Sequence, residues 1–442
     1  MRNTKDIIVR LLRSLGTRKE VEQYLKQYST VDSQKFAIIK VGGNILERDL
    51  DALASSLTFL HNVGLYPIVL HGAGPQIDAG LVEAGVSTER VDGIRVTTPR
   101  VLEIARRVTL RENLRLVEAL EDLGTRARPI TGGALEAEII DAERYGLAGR
   151  VTRIHTELLQ SSIRAGHLPI LTCLGETTSG QIVNVNSDMA MRELSLAVQP
   201  FKMIFLTEPG GLLDADGQVI SAVNLAEDYD ALMAQPWLHS GMRNKLQEIK
   251  KLLEGLPATS SVSITSPDHL AKELFTHTGS GTLVRRGERV NRFDTLEGID
   301  LVRLRDLLEA CFHRVLDEHY FEKKAFYRIY LSEEHSATAI ITRGDALPPY
   351  LDKFAVTTQA LGAGVGGSLW KRMKDENPRL FWRARSGNEI NPWYFQQSDG
   401  SHRAGRWTVF WFGLEGFDEI KACIDHALAL PATLREHGTA EV

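Results

Sequence analysis

The chain has 442 residues, 43% of them apolar and 25% charged, which predicts a soluble globular protein too long for one ordinary core. Its formal net charge of −5 gives no electrostatic basis for nucleic-acid binding or for a polybasic membrane contact. The three cysteines (Cys173, Cys311, Cys423) are too far apart for a metal-ligand pair or a disulfide framework, which fits a reducing compartment and a cytoplasmic protein. No apolar run approaches the ~18 residues of a membrane span.

At the start of the chain, Ile7, Ile8, Leu11, Leu12 and Leu15 recur at helical spacing with Arg10, Arg13, Arg18 and Lys19 between them. A basic amphipathic pattern of this kind reads as a transit peptide or as a structural helix packed on another subunit. Asp6, Glu20 and the continuation through Tyr24 to Tyr28 favour the structural helix.

The stretch Phe36 to Val41 is a run of β-formers that carries Lys40 and breaks on Gly42 and Gly43. A buried strand that opens into paired glycines lets backbone N–H groups approach a ligand, and Lys40 directs a cation to the same place. The plain alternative is a strand–turn whose lysine reaches solvent. After the helical stretch Leu50–Asn62, a second unalternating strand, Tyr66 to His71, runs into Gly72-Ala-Gly-Pro75. Further apolar strands at His167–Cys173, Lys202–Thr207 and Ser260–Thr265, with helices between, predict an α/β layer with a parallel-rich sheet. In such sheets, ligands sit beyond the carboxyl ends of the strands. The sequence contains no G-x-x-x-x-G-K-[ST], which excludes a P-loop.

Two helix starts complete the pattern. Asn184-Val-Asn-Ser-Asp188 leads into a helix, where Asp188 either caps it or serves the chemistry. Ser240-Gly-Met-Arg-Asn-Lys245 brings a second lysine. Two cations with a carboxylate between them suit phosphoryl transfer, because charge builds on the transferring group and on the leaving diphosphate.

Taken together, Lys40-Val-Gly-Gly43, His71-Gly-Ala-Gly-Pro75, Gly93-Ile-Arg-Val-Thr97, Asn184-Val-Asn-Ser-Asp188 and Gly241-Met-Arg-Asn-Lys245 resemble the motifs of the amino-acid kinase family, and within it the N-acetylglutamate kinases. The resemblance runs from about Gln34 to Arg286 and implies a three-layer α/β/α sandwich. It also implies ATP and Mg2+ as cofactors, with no metal ligand assigned on the protein. Lys40 and Lys245 would stabilise the transition state and Asp188 would organise them. Gly42 and Gly43 would cradle the nucleotide phosphates, Gly72 and Gly74 the substrate loop, and Arg95 and Asn184 would bind N-acetyl-L-glutamate. Ala73 stands where the family commonly has glycine. The first 30 residues resemble the extra helix of arginine-inhibited members. This implies L-arginine as effector at a site shared with the loop Gly279–Thr282, and a homo-oligomer, tetramer or hexamer.

The polar stretch 287–294 reads as a linker between domains at 31–286 and 295–442, following an N-terminal helix at 1–30. A helix is expected at Leu301–Leu316 and strands at Ala325–Leu331, Ala337–Thr342 and Lys353–Thr357. A glycine loop and a helix follow. The loop Gln359-Ala-Leu-Gly-Ala-Gly-Val-Gly-Gly367 fits a dinucleotide fingerprint poorly, because the position about 20 further on is Trp382, not an acid. It resembles instead the acyl-CoA loop of the GNAT acetyltransferase fold, which implies acetyl-CoA held by Gln359, Gly362, Gly364 and Gly366.

Beyond it, Arg383, Arg385, Asn388, Asn391 and Tyr394 are set among aromatic residues. Buried polar groups need partners, and arginine forks hold carboxylates in a bidentate way. A pocket for a dicarboxylic amino acid accounts for them. Tyr350 to Lys353 and Asn391 to Phe395 resemble the acetyltransferase domain of vertebrate-type N-acetylglutamate synthases, which implies L-glutamate as acceptor, with Lys353 and Tyr394 catalytic. The whole reads as a bifunctional synthase and kinase of arginine synthesis. Two alternatives remain: a synthase with an arginine-sensing kinase-like domain, and a kinase with a non-catalytic acetyltransferase-like module.

Overall fold

A computed structural model describes residues 35–238, 240–257, 260–275, 280–344, 346–357, 360 and 365–436. The expected helix over 1–30, Gly279, Gln359, Gly362 and Gly364 lie outside the described residues. The chain divides into two compact units. One ends at Arg286 and the other comprises Gly287 onward together with Asn224–Ala231.

The first unit is built on an eight-stranded sheet in the order Ala222–Asn224, Thr282–Arg285, Ser261–Thr265, Lys202–Leu206, Ala37–Val41, Ile68–His71, Leu168–Thr172, Ala127–Ile130. The six strands from Ser261–Thr265 to Ala127–Ile130 pair in parallel, so their carboxyl ends share one edge. Ala37, Ile39 and Val41 face a core with Leu53, Leu57, Leu116 and Leu120 from the helices Leu50–Asn62 and Pro99–Asp122. Because strand side chains alternate, Ile38 and Lys40 turn to the opposite face. The 24-residue helix Pro99–Asp122 starts where Thr98 accepts from the Val101 N–H at 3.3 Å, with proline at the first position. A small closed barrel of Leu135–Ile139, Ala148–Ile154, Leu174–Glu176 and Ile182–Val185 carries Asn184.

The second unit is a seven-stranded sheet in the order Val290–Phe293, Phe326–Ser332, Ala337–Thr342, Tyr350–Val356, Leu380–Arg385, Trp407–Phe412, Gly400–Ala404. Residues 290–293, expected in the linker, are its edge strand. Val290 is buried, and the stretch pairs with Phe326–Ser332 from Val290↔Ser332 to Phe293↔Ile329. An edge strand with one solvated face reads as polar as a linker does, which is why composition missed it.

Only one pair of neighbours in this sheet is parallel, Tyr350–Val356 with Leu380–Arg385. They are joined only at Tyr350↔Phe381 and Leu351↔Trp382. Beyond Leu351 the two strands part. The helix Val365–Glu376 covers one face through Leu369, Trp370 and Met373, which pack on Tyr330, Leu351, Trp382, Tyr394 and Phe410. The helix Leu301–Phe312 covers another patch with Ile329, Leu331, Ile340 and Ala355.

No helix among the described residues is long and apolar enough to cross a membrane. Trp382 is fully buried between Trp370, Tyr394 and Phe410. Trp382→Ala is expected to destabilise the second unit by about 3–5 kcal/mol, read as a lower denaturant midpoint of its unfolding transition.

Candidate active sites

At the carboxyl edge of the first sheet, Lys40 Nζ lies 2.5 Å from Asp188 Oδ1. The helix Ser187–Val198 is capped by Asn186, whose side chain accepts from the Asp188 N–H at 2.8 Å. Asp188 is therefore not the cap, and its carboxylate is directed to the lysine. Lys245, half-buried on the helix Ser240–Glu254, joins them. Burial lowers its pKa, the Lys40 cation lowers it further, and Asp188 opposes both. Two ammonium groups sharing one carboxylate leave an excess of positive charge where the strands end.

The glycine loops meet at this edge. A Cβ on Gly43 would stand 2.5 Å from Gln76 Oε1, 2.7 Å from Pro75 Cδ and 3.3 Å from the Gly74 nitrogen, so only glycine lets the loops touch. Gln76 Nε2 donates to the Gly43 carbonyl at 2.7 Å and locks them together. Gly42 has open space where a Cβ would be, which leaves room beside Lys40 for a ligand. The Gly72 N–H is not free for a ligand. It continues the strand ladder by donating to the Val41 carbonyl at 3.0 Å.

A cleft beside the loops is lined by His71, Gly72, Gly74, Arg90, Arg95 and Asn184, among others. Arg95, only 5% exposed, pairs with Asp78 at 2.5 Å and lies 3.4 Å from the Gly74 carbonyl. Asn184 Nδ2 donates to Thr97 Oγ1 at 3.2 Å, and that hydroxyl donates to the Arg95 carbonyl. Arg90, on which the sequence motifs are silent, shares Asp78 at 3.5 Å. Two guanidinium groups with one carboxylate between them suit an acidic ligand.

His71, at the end of its strand, is fully buried. Its Nε2 accepts from Asn113 Nδ2 at 3.0 Å, since that amide also donates to the Ile170 carbonyl; the ring proton is thus on Nδ1. Burial lowers its pKa to about 4, against smaller opposing effects of Gly72 and Glu112.

In the second unit, the pairing with Ala337–Thr342 shifts so that Ile340 faces Lys353 and Ile341 faces Leu351, which leaves Asp352 as a bulge residue. Asp352 accepts from Tyr320 Oη at 2.6 Å, Lys324 Nζ at 3.0 Å and Lys353 Nζ at 2.6 Å. Lys353 also donates to Thr433 Oγ1 at 2.8 Å, and its Nζ lies 3.2 Å from the Asp352 carbonyl. Tyr394 is buried among Trp370, Trp382 and Phe410, and burial raises its pKa, so the phenol keeps its proton. Asn391 Nδ2 donates to the carbonyls of Arg385 and Ser386 at 2.8 and 3.2 Å, while its buried Oδ1 has no partner. An orphaned buried acceptor of this kind suits a ligand N–H.

Three expectations change. Arg383 is not an open carboxylate fork. It donates to the carbonyls of Ala427 and Pro431 at 2.6 and 3.1 Å and stacks on Trp407 at 4.2 Å, because the last carbonyls of the helix Phe417–Ala429 lack intrahelical donors. Asn388 shapes the turn before the helix Asn391–Gln397, its Oδ1 accepting from the Ile390 N–H at 3.3 Å. Gly366 lies in the first turn of the helix Val365–Glu376, where a Cβ would stand 3.0 Å from Val356 Cγ2. Close packing of helix on strand thus accounts for that glycine by itself. Arg385 is largely exposed; partial desolvation of its guanidinium lowers its pKa, Arg314 and Arg406 lower it further, and Glu436 opposes them.

Residues 35–264 of the 442 match the amino acid kinase family. The chain belongs to that family. Residues 289–429 match the NAT domain, the N-acetyltransferase of N-acetylglutamate synthase. Acetylglutamate kinase of Xanthomonas campestris pv. campestris is 50% identical over 424 residues, covering 95% of this chain and 100% of that protein. Human mitochondrial N-acetylglutamate synthase is 33% identical over 422 residues, covering 93% of this chain and 76% of that protein. N-acetylglutamate synthase from Neisseria gonorrhoeae, solved with coenzyme A and N-acetyl-glutamate, superposes with a TM-score of 0.63 at 21% identity, over 90% of this chain and 98% of that one. That likeness is one of fold, an amino acid kinase unit followed by a NAT unit.

Among the described residues no group of three or more His, Cys, Asp or Glu side chains could hold a metal ion.

Two outcomes are expected for the kinase unit. Gly43→Ala forces a Cβ against Pro75 and Gln76 and is expected to cost about 1–3 kcal/mol, measured by denaturant unfolding. Because the folded pKa of His71 is depressed, its contribution is fully present above the unfolded value of 6.5 and is lost as pH falls through about 4. The loss is on the order of 3 kcal/mol. Unfolding midpoints taken across that window should fall for the parent and depend less on pH in His71→Gln.

Proposed function

We propose that the kinase unit transfers the γ-phosphoryl group of MgATP to the γ-carboxylate of N-acetyl-L-glutamate, and that the NAT unit makes that substrate from L-glutamate and acetyl-CoA. The observation that carries the first half is the contact of Lys40 with Asp188, with Lys245 electrostatically coupled to both. A carboxylate is ionised at neutral pH, so the attacking oxygen needs no base. It forms a bond to phosphorus while the bond to the ADP oxygen breaks. Negative charge spreads over the transferring and leaving groups, and the two ammonium groups neutralise it. Arg95, Arg90 and Asn184 line the cleft where the acidic substrate would be held. The acetylglutamate kinases that resemble the chain over 95% of its length support this choice of substrate.

For the second half, support comes from the two parallel strands that are joined at Tyr350↔Phe381 and Leu351↔Trp382 and part beyond Leu351, where Lys353 lies. The α-amine of glutamate, once neutral, attacks the thioester carbonyl. A C–N bond forms, the C–S bond breaks, and the amine proton passes to solvent or a base. Tyr394, held protonated by burial, suits a hydrogen bond to the departing sulfur. Lys353 supplies a positive charge for a glutamate carboxylate, and Asn391 Oδ1 an acceptor for an N–H. L-arginine is the proposed effector.

One observation favours a second reading, a kinase with an inert NAT unit: Lys353 and Arg383 are engaged within the protein. Thiol release from acetyl-CoA plus glutamate, and acyl phosphate trapped as hydroxamate from N-acetylglutamate plus MgATP, separate the two. Both activities are expected in the parent. Lys40→Ala should lower only hydroxamate formation and Tyr394→Phe only thiol release, each by about 100-fold. A parent that forms hydroxamate but releases no thiol would establish the second reading instead.

A further inference from the structure

The bulge at Asp352 lies one residue beyond Leu351, the last residue that joins the two parallel strands of the NAT unit. In a regular strand, adjacent side chains point to opposite faces. Here the bulge lets Asp352 and Lys353, both about 95% buried, meet at 2.6 Å where the strands begin to part. Burying a carboxylate with two ammonium groups costs desolvation that an apolar pair would not, so packing alone does not account for the cluster.

Lys353 has three N–H groups, and two of the three oxygens around its Nζ belong to Asp352. The third is the neutral hydroxyl of Thr433. A carboxylate oxygen would form the stronger, charge-assisted bond in that position. Lys324 and Lys353 both pair with the single Asp352 carboxylate, which leaves one positive charge for a further anionic group to match.

We propose that Asp352 is a positioning residue of acetyl transfer. It holds the Lys353 ammonium at the opening between the strands and aims its third N–H at a carboxylate of the acceptor amino acid, in the place that Thr433 Oγ1 takes in this structure. The inference rests on the acetyltransferase reading of this unit and deepens it.

The charge of Lys353 is set from several elements. Burial disfavours the ammonium, Asp352 favours it, and Lys324 and Arg383 oppose it. The Tyr320 ring lies 5.0 Å from Nζ, its hydroxyl on Asp352. His426, on the helix Phe417–Ala429, faces Lys324 and Arg383. Since the acceptor carboxylate needs a charged Lys353, kcat/KM for glutamate should fall at high pH as that ammonium loses its proton. Removing the Asp352 charge leaves burial unopposed and moves this fall to lower pH. Removing the Lys324 cation moves it to higher pH.

The test measures thiol release by the full chain over roughly pH 6 to 10, with kcat and KM for glutamate resolved separately. Asp352→Asn is expected to raise KM for glutamate and to lower kcat/KM at least about tenfold, with the high-pH limb displaced to lower pH. Part of the loss should be recovered as pH is lowered. Hydroxamate formation by the kinase unit should not change. Lys324→Met should displace the limb the other way, and it carries the test alone if Asp352→Asn does not fold. A loss that is uniform across pH, or a limb unmoved in both variants, would overturn the inference while leaving the acetyltransferase reading intact. A parent that releases no thiol would overturn both.

Discussion

The Lys40–Asp188 ion pair is the interaction on which the kinase site depends. A lysine that is only 15% exposed at the end of a core strand is matched by a carboxylate beside it. The rest of the site is arranged to free that carboxylate. Asn186 takes over the cap of the helix Ser187–Val198, so Asp188 does not spend its oxygens on backbone N–H groups. The parallel pairing of Ala37–Val41 with Ile68–His71 and Lys202–Leu206 delivers Lys40 and the first glycine loops to one edge. Gly43 brings the two glycine loops together, since a Cβ there would stand 3.3 Å from the Gly74 nitrogen. The second unit pairs a lysine with an aspartate again by another route, a bulge that brings sequence neighbours Asp352 and Lys353 together.

The two sheets make their openings differently. In the kinase unit the strands stay paired and the site lies beyond their carboxyl ends. In the NAT unit the opening lies within the sheet, where two parallel strands share only Tyr350↔Phe381 and Leu351↔Trp382. Parting strands forgo ladder hydrogen bonds. A dense aromatic core of Trp370, Trp382, Tyr394 and Phe410 packs on one side, and the Asp352 cluster stands at the point of divergence. Arg90 and Arg95 line the cleft of the kinase unit, while Lys40 and Lys245 gather at Asp188; the proposed transfer between anions would use this positive charge. The NAT unit combines cations with a buried phenol, which the proposed departure of a thiolate would use.

Much of this could be read from residue order, because glycine pairs at the ends of unalternating strands, with lysines beside them, suit anion binding better than they suit a plain turn. Lys40, Asp188 and Lys245 lie far apart in sequence, yet each sits at a strand end or helix start, where parallel topology collects them. What could not be read depended on contacts that periodicity does not encode. Arg90 is one arginine among many until Asp78 is seen between it and Arg95. Val290–Phe293 looked like linker because half of an edge strand faces water. Arg383 looked like an open fork until the helix end at Ala427 supplied its acceptors. The bulge at Asp352 leaves no mark in a run of β-formers, since a strand with one extra residue has the same composition as a strand without it.

The central claim is that one chain carries acetyl transfer and phosphoryl transfer in succession. The most direct test supplies one preparation with acetyl-labelled acetyl-CoA, glutamate, MgATP and hydroxylamine, with no added N-acetylglutamate. Labelled N-acetylglutamyl hydroxamate, separated from the acetohydroxamate that hydroxylamine forms directly with acetyl-CoA, is the predicted product of the parent. In Asp188→Asn, where Lys40 loses its counter-charge, the label should stop at N-acetylglutamate. Unlabelled glutamate recovered alone, in a preparation that phosphorylates N-acetylglutamate when it is added, would contradict the claim and leave a kinase with a NAT unit that does not turn over.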